Sequence, residues 1–233
     1  MTPERTLYFA NGSIPNWRVL LALHAKGLEF TGRRLRLMGG ERETRSPEFL
    51  AINPRGQTPV LVDHGVTVNE SYAILQYLET RYPEPPLLPV DHPRALARVL
   101  ARAYEAETFA CAYDPIETLF VVPPADLSTA QRDSIAAALA AVEFEMALWE
   151  ARAAEANFIA GDTFTLADCA FYPTLAYMQR RGLPLTAYPQ LDGYRRRVQA
   201  LPTAVAAHPI GWLSDQTGKP DLFALARLAT AGS

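Results

Sequence analysis

The sequence predicts an α/β domain followed by an all-α helical bundle. Three observations carry that expectation. Strand-like and helix-like segments alternate over the first ~80 residues. The run Pro83-Glu-Pro-Pro86 through Pro89 then breaks the chain. Beyond it, strand signals give way to long segments rich in Ala, Leu, Arg and Glu, which lose little side-chain freedom in a helix. The expected division is residues 1–83, a linker at 84–92, and a helical domain at 93–233.

Thr6-Leu-Tyr-Phe9 reads as a short first strand. The polar turn Asn11-Gly-Ser-Ile-Pro-Asn16 leads into a helix over Trp17–Leu23 that stops at Gly27. Leu28–Phe30 and Arg33–Leu37 read as a second strand. Ser46–Leu50 is a helical turn with Pro47 at an early position, where the missing N–H costs nothing. Pro59–Val62 and Val66–Val68 form two strands around the turn Asp63-His-Gly65. A helix over Ser71–Arg81 ends before Pro83, giving the order β-α-β-α-β-β-α. Beyond the linker, helices are expected over Arg94–Tyr113, Ser128–Ala154, Thr165–Arg180 and Leu191–Ala200. Thr165-Leu-Ala-Asp168 has the form of a capping box, so Asp168 is expected to cap a buried helix rather than act as a catalytic acid.

Composition removes several function classes. The chain has 233 residues, 49% of them hydrophobic, enough for a substantial core. A net charge of -3 gives no electrostatic case for nucleic acid or an anionic membrane. No apolar run approaches the ~20 residues a membrane helix needs, and the first residues lack the pattern of a signal peptide. Cys111 and Cys169 stand alone in helical sequence, which fits a reducing compartment. His24, His64, His92 and His208 have no metal spacing, so no metal site is assigned. The basic runs Arg33-Arg-Leu-Arg36 and Arg195–Arg197 read as solvated faces or salt links.

Two features point to a ligand. Thr58-Pro59-Val60 places a proline at the head of a strand; with Pro59 cis, the backbone of Val60 would be offered to an extended peptide as an added strand. Glu70-Ser71 follows a strand and opens a helix. The unpaired N–H groups of a first helical turn and the Ser71 hydroxyl suit a carboxylate, while Glu70 suits an ammonium. A carboxylate and an ammonium on one carbon form an amino-acid end, so the two features together suit a small peptide such as glutathione.

Along nearly its whole length the chain resembles the cytosolic glutathione transferases. The likeness rests on Asn53-Pro-Arg-Gly-Gln-Thr-Pro-Val-Leu-Val62, Asn69-Glu-Ser-Tyr-Ala-Ile-Leu-Gln-Tyr-Leu78 and Phe164-Thr-Leu-Ala-Asp-Cys169. It implies a thioredoxin-like N-terminal domain that binds glutathione and a helical domain that supplies much of the pocket for a hydrophobic electrophile. It further implies a homodimer and a cytoplasmic, detoxifying transferase. Carried over by position, Pro59 is the cis-proline, Val60 the backbone contact, and Glu70 with Ser71 the γ-glutamyl clasp. Gln57 and Arg45 are candidates for the glycyl end.

The chemistry requires a thiolate. A free thiol with a pKa of about 8.5 is only a few per cent ionised at neutral pH, so a hydroxyl donor near a helix N-terminus would be needed to lower it. Ser13, Tyr8 and Asn11 are the candidates between the first strand and the first helix, with Asn16 a further amide donor. Ser13 leads, because Ser13-Ile-Pro-Asn-Trp-Arg-Val19 resembles the zeta-class segment, whose catalytic serine aligns there. The zeta pattern has a second serine and a cysteine where this chain has Ile-Pro-Asn. That departure counts against zeta-type isomerase chemistry; a glutathione-dependent cis-trans isomerase and a non-catalytic glutathione-binding or scaffold protein are the alternatives to a transferase. No cysteine occupies this turn, which argues against disulfide exchange. Tyr104, Phe109 and Tyr113 are aromatic candidates for the electrophile pocket. Trp212 and Phe223 belong to a tail that either covers that pocket or packs elsewhere.

Overall fold

The computed structural model describes residues 4–37, 40–212 and 220–231. They form two compact units. The first takes the described residues up to Pro89 together with those from Ala200 to Trp212; the second takes residues 90–199 and 220–231.

In the first unit, β1 (Arg5–Phe9), α1 (Ile14–Ala25), β2 (Thr31–Arg34), a 3-10 turn (Glu43–Arg45), α2 (Pro47–Ile52), β3 (Val60–Asp63), β4 (Val66–Asn69) and α3 (Ser71–Arg81) follow in the expected order. The sheet order is β2-β1-β3-β4, with β2 parallel to β1 and the other pairs antiparallel. Arg5, Leu7 and Phe9 are buried while Thr6 and Tyr8 are half exposed, the two-residue period of a strand with unlike faces. The second strand is Thr31–Arg34 alone. Leu28–Phe30 leaves the helix by a Gly27 turn (φ 62°) and joins no ladder, because only the later residues reach register with Thr6–Phe9.

Helix α1 begins three residues before the expected start, with Pro15 in its first turn. It is buried on several sides: Asn16, Trp17, Arg18, Val19, Leu21, Ala22 and Leu23 are all enclosed. It packs against α3 through Ile74, Leu75 and Leu78, and against α8 (Pro202–Ala206) from the returning segment. Each fully buried leucine of this layer contributes roughly 1.5–3 kcal/mol.

The expectation that everything from residue 93 belongs to the helical domain is corrected at residues 200–212. This segment has too little apolar length to form its own layer. Instead it buries Ala204 and Ala207 beside α1. Lys26 secures the other boundary. Its buried ammonium lies 2.6 Å from Glu79 and donates to the carbonyls of Tyr82 and Pro85, while Glu79 accepts from the N–H groups of Leu87 and Leu88.

The second unit contains α4 (Pro93–Tyr113), two 3-10 turns (Asp114–Phe120 and Pro124–Asp126), α5 (Thr129–Ala153), α6 (Leu166–Arg180), α7 (Pro189–Gln199) and α9 (Leu222–Thr230). Helix α6 is buried along nearly its whole length, with Phe171 stacked on Trp149 at 4.1 Å. Its capping box closes as expected: Asp168 accepts from Thr165 N at 2.8 Å and from Ile159 N at 3.0 Å. Burial pushes the Asp168 carboxyl up to about 6 against those bonds. Among the described residues no helix is long and apolar enough to cross a membrane, and no His, Cys, Asp or Glu cluster could hold a metal.

Candidate functional site

The binding candidates lie on the loop around the Thr58–Pro59 peptide and at the junction of β4 and α3. The Thr58–Pro59 peptide is cis. Asn53 braces the loop before it: its Nδ2 donates to Gln57 O at 2.8 Å and its Oδ1 accepts from Arg55 N at 3.1 Å. Asn16, in the first turn of α1, donates to Thr58 Oγ1 at 3.1 Å. That bond places the turn containing Ser13 beside the residue preceding the cis-proline. On the other flank, Gly56 (φ 62°) lies against Arg45, since a Cβ there would stand 3.0 Å from Arg45 Nη1 and 2.7 Å from Thr44 O. Arg45 and Gln57 are both exposed beside this loop.

Strand pairing brings in the second half. Val60 is in register with Asn69, so Glu70 and Ser71 follow directly beside Pro59. Ser71 opens α3 and is buried, whereas Glu70 is exposed and makes no capping hydrogen bond. The Glu70 backbone has φ 69° and ψ 126°, a conformation that costs a side-chain-bearing residue on the order of 1–3 kcal/mol and that concentrates at functional sites.

Val60 requires a correction. It is fully buried and has register partners on both sides, Tyr8 on β1 and Asn69 on β4. A strand residue directs both backbone groups toward one neighbour, and Val60 has a neighbour either way. Its backbone is therefore used by the sheet. Thr58, half buried, lies just ahead of the strand and outside its ladder.

The thiolate candidates separate as clearly. Ser13 is the N-cap residue of α1, is partly exposed, and its side chain makes no capping hydrogen bond. Tyr8 lies on the β1 face opposite Leu7 and Phe9 and packs on Phe49 of α2, with ring centroids 5.8 Å apart. Asn11 clasps the backbone of Ile210 through its carboxamide. Nδ2 donates to Ile210 O at 3.0 Å and Oδ1 accepts from Ile210 N at 2.8 Å. Asn16 is wholly buried and turned toward Thr58. Asn16, Asn53 and Thr58 brace this loop by hydrogen bonds that sequence reasoning did not assign. The quoted run from Asn53 to Val62 held the signal for two of them.

Of the aromatic candidates, only Tyr104 is exposed, at 52%. Phe109 stacks on Phe171, and Tyr113 packs on Phe223 and Tyr177 within the helical unit. Burial, aided by Tyr177 and Glu117, raises the Tyr113 phenol far above its ordinary range.

Two family models match the chain: the glutathione S-transferase N-terminal domain over residues 16–81 and the glutathione S-transferase C-terminal domain over residues 125–197. A glutathione S-transferase A from Pleuronectes platessa is 33% identical, covering 94% of this chain and 97% of its own length. A maleylacetoacetate isomerase from Pseudomonas aeruginosa is 32% identical, covering 92% and 97% respectively. Among solved structures, a glutathione S-transferase from the Antarctic clam Laternula elliptica superposes with a TM-score of 0.83 at 29% identity, covering 94% of this chain and 98% of that one. A sphingomonad glutathione S-transferase complexed with glutathione gives a TM-score of 0.72 at 27% identity, covering 87% and 96%.

Proposed function

The chain belongs to the glutathione S-transferase family, and from that premise we propose how its own residues carry the transfer of glutathione to an electrophile. The observation that supports the reading is the set of neighbours Arg45–Gly56, Thr58–Asn16 and Val60–Asn69, to which we assign three kinds of recognition. The α3 N-terminus and the Ser71 hydroxyl take the carboxylate of the γ-glutamyl end, and Glu70 takes its ammonium. The Thr58 backbone pairs with the cysteinyl residue as a short added strand, with Pro59 behind it. Arg45, assisted by Gln57, takes the glycyl carboxylate.

Bound glutathione supplies a thiol, which becomes the nucleophile on losing its proton to solvent. Ser13 donates its hydroxyl hydrogen to the sulfur, and the positive end of α1 adds to the field there. Each unit by which the thiol pKa falls represents ~1.4 kcal/mol of preference for the thiolate. Attack then forms a C–S bond; a leaving group departs with its electron pair, or an activated double bond takes a proton at the adjacent carbon. The electrophile is proposed to be a hydrophobic small molecule, and the working form a cytoplasmic homodimer.

The test is a calorimetric glutathione titration with the ultraviolet thiolate absorbance of the complex followed against pH. Wild type is expected to bind and to show a lowered thiol pKa. Ser13→Ala should keep affinity within about twofold and lose most turnover, because the hydroxyl acts on the sulfur. Loss of activity in Tyr8→Phe with Ser13→Ala unaffected would move the role to Tyr8.

The similarity to the Pseudomonas aeruginosa isomerase supports a second reading, in which glutathione adds to a cis double bond, the bond rotates, and glutathione leaves unconsumed. Turnover of a cis-enone diacid without loss of free thiol would favour it.

A further inference from the structure

The turn that carries Ser13 has little to hold it in place by itself. Its internal hydrogen bond, from Ser13 N to Ala10 O, is long at 3.4 Å, and Gly12 sits at φ 78°. Ser13 O accepts from Trp17 N at 2.9 Å where α1 opens, and the residues before Ser13 are held by residues 210 and 212. Asn11 is clasped at both ends of its carboxamide by the backbone of Ile210. The Trp212 ring lies directly on Gly12: a Cβ there would fall 2.3 Å from Trp212 Cζ2, so only glycine leaves room for the indole. Trp212 meets Trp17 edge to face at 5.6 Å, and His208 meets the same ring at 5.4 Å. Trp17 itself is buried in α1, four residues after Ser13.

We propose that residues 200–212 are a strap that fixes the Ser13 hydroxyl, with Trp212 as its positioning residue. The inference rests on Ser13 serving glutathione in the proposed transfer. The strap holds both residues immediately before Ser13 and, through Trp17, the first turn after it. The contacts of the strap fall on Asn11, Gly12 and Trp17, around the hydroxyl. Loosening it should therefore act on turnover more than on affinity. Loosening the strap misplaces the hydroxyl relative to the sulfur, and a displacement of about 1 Å can cost on the order of 10²-fold in rate.

The experiment compares wild type with Trp212→Ala, Trp212→Phe and Asn11→Ala. Amide exchange of Gly12, Ser13 and Ile14 is measured without ligand; glutathione affinity, bound-thiol pKa and kcat are measured with it. Trp212→Ala should speed exchange at those amides about tenfold, raise the bound-thiol pKa and lower kcat about tenfold, with glutathione affinity within twofold of wild type. Trp212→Phe, which keeps a ring against Gly12 and Trp17, should recover most of the loss. Unchanged exchange and unchanged thiol pKa in Trp212→Ala would overturn the proposal. Should that variant fail to fold, Asn11→Ala decides, since it removes the exposed clasp and leaves the ring contacts alone. Failure of wild type to bind glutathione would sink the transferase reading, while the ligand-free exchange still decides whether the strap holds the turn.

Discussion

Glu70 offers a substitution whose effects on stability and on binding should have opposite signs. Its backbone lies at φ 69° and ψ 126°, its side chain is exposed, and it caps nothing. Strain of this kind costs on the order of 1–3 kcal/mol. Glycine relieves it, at an entropic cost of roughly 0.5–1 kcal/mol from the freer unfolded chain. Glu70→Gly should therefore stabilise the protein by about 0.5–2 kcal/mol. At roughly 2–4 °C per kcal/mol for a chain of this size, that raises Tm by a few degrees. The same change removes the carboxylate assigned to the glutathione ammonium. A hydrogen bond between charged groups is worth about 1.5–3 kcal/mol, so Kd should rise roughly 10- to 150-fold. Glu70→Gln keeps the strain and loses the charge; it should leave Tm within a degree or so while weakening binding comparably. Thermal melts and calorimetric titrations of the three proteins test this. A lower Tm in Glu70→Gly, or a glutathione affinity within twofold of wild type, would refute the reasoning.

Two further predictions concern groups outside the site. Lys26→Met should destabilise the fold by about 3–5 kcal/mol, because it strands a Glu79 carboxylate that is buried beside the linker; urea denaturation checks the loss, limited proteolysis should cut first between Tyr82 and Leu88, and a loss below about 1 kcal/mol would count against the buried pair. Asp168 gives a pH dependence: its carboxyl, raised from 3.8 to about 6 by burial, binds a proton more tightly in the folded state, so its contribution to stability is present at low pH and is lost as pH climbs from about 4 to 6. That contribution is on the order of 3 kcal/mol, and a stability–pH curve from denaturant melts should be flatter across this window for Asp168→Asn than for wild type.

The fold was legible where a single segment carries its own reason. The alternation of β1, the Asp63-His-Gly65 turn between β3 and β4, and the Thr165-Asp168 box depend on residues within a few positions of one another. So did the grouping of the proline, Glu70 and Ser71, separated by only one hairpin. What escaped depends on partners far apart in sequence. Asn16 looked like a free amide donor because Thr58 is 42 residues away. The clasp between Asn11 and Ile210 was hidden because the two are 199 residues apart. Val60 looked available to a peptide because its pairing with both Tyr8 and Asn69 depends on a central position in the sheet, which strand pattern alone does not give. The returning segment Ala200–Trp212 was hidden by its brevity: α8 has five residues, too few to show which layer it joins.

Those long-range contacts also narrow the chemistry of the Ser13–Asn16 turn. Ile14 is apolar, Pro15 has no N–H, and Asn16 directs its amide to Thr58 from a wholly buried position. Asn11, just before the turn, holds the backbone of Ile210. Ser13 is the one hydroxyl in residues 13–16, and no thiol stands there. A mechanism in which one such group activates the sulfur and a second from the same turn handles the substrate would need a further hydroxyl or thiol. Thiolate formation followed by attack on an electrophile that is already reactive needs one hydroxyl at the sulfur, and this turn has one. The preference for transfer over isomerisation rests on that count. Placing a serine or cysteine at Ile14 or Pro15 and gaining isomerisation of a cis-enone diacid, with transfer unchanged, would show that the missing second group is what separates the two reactions.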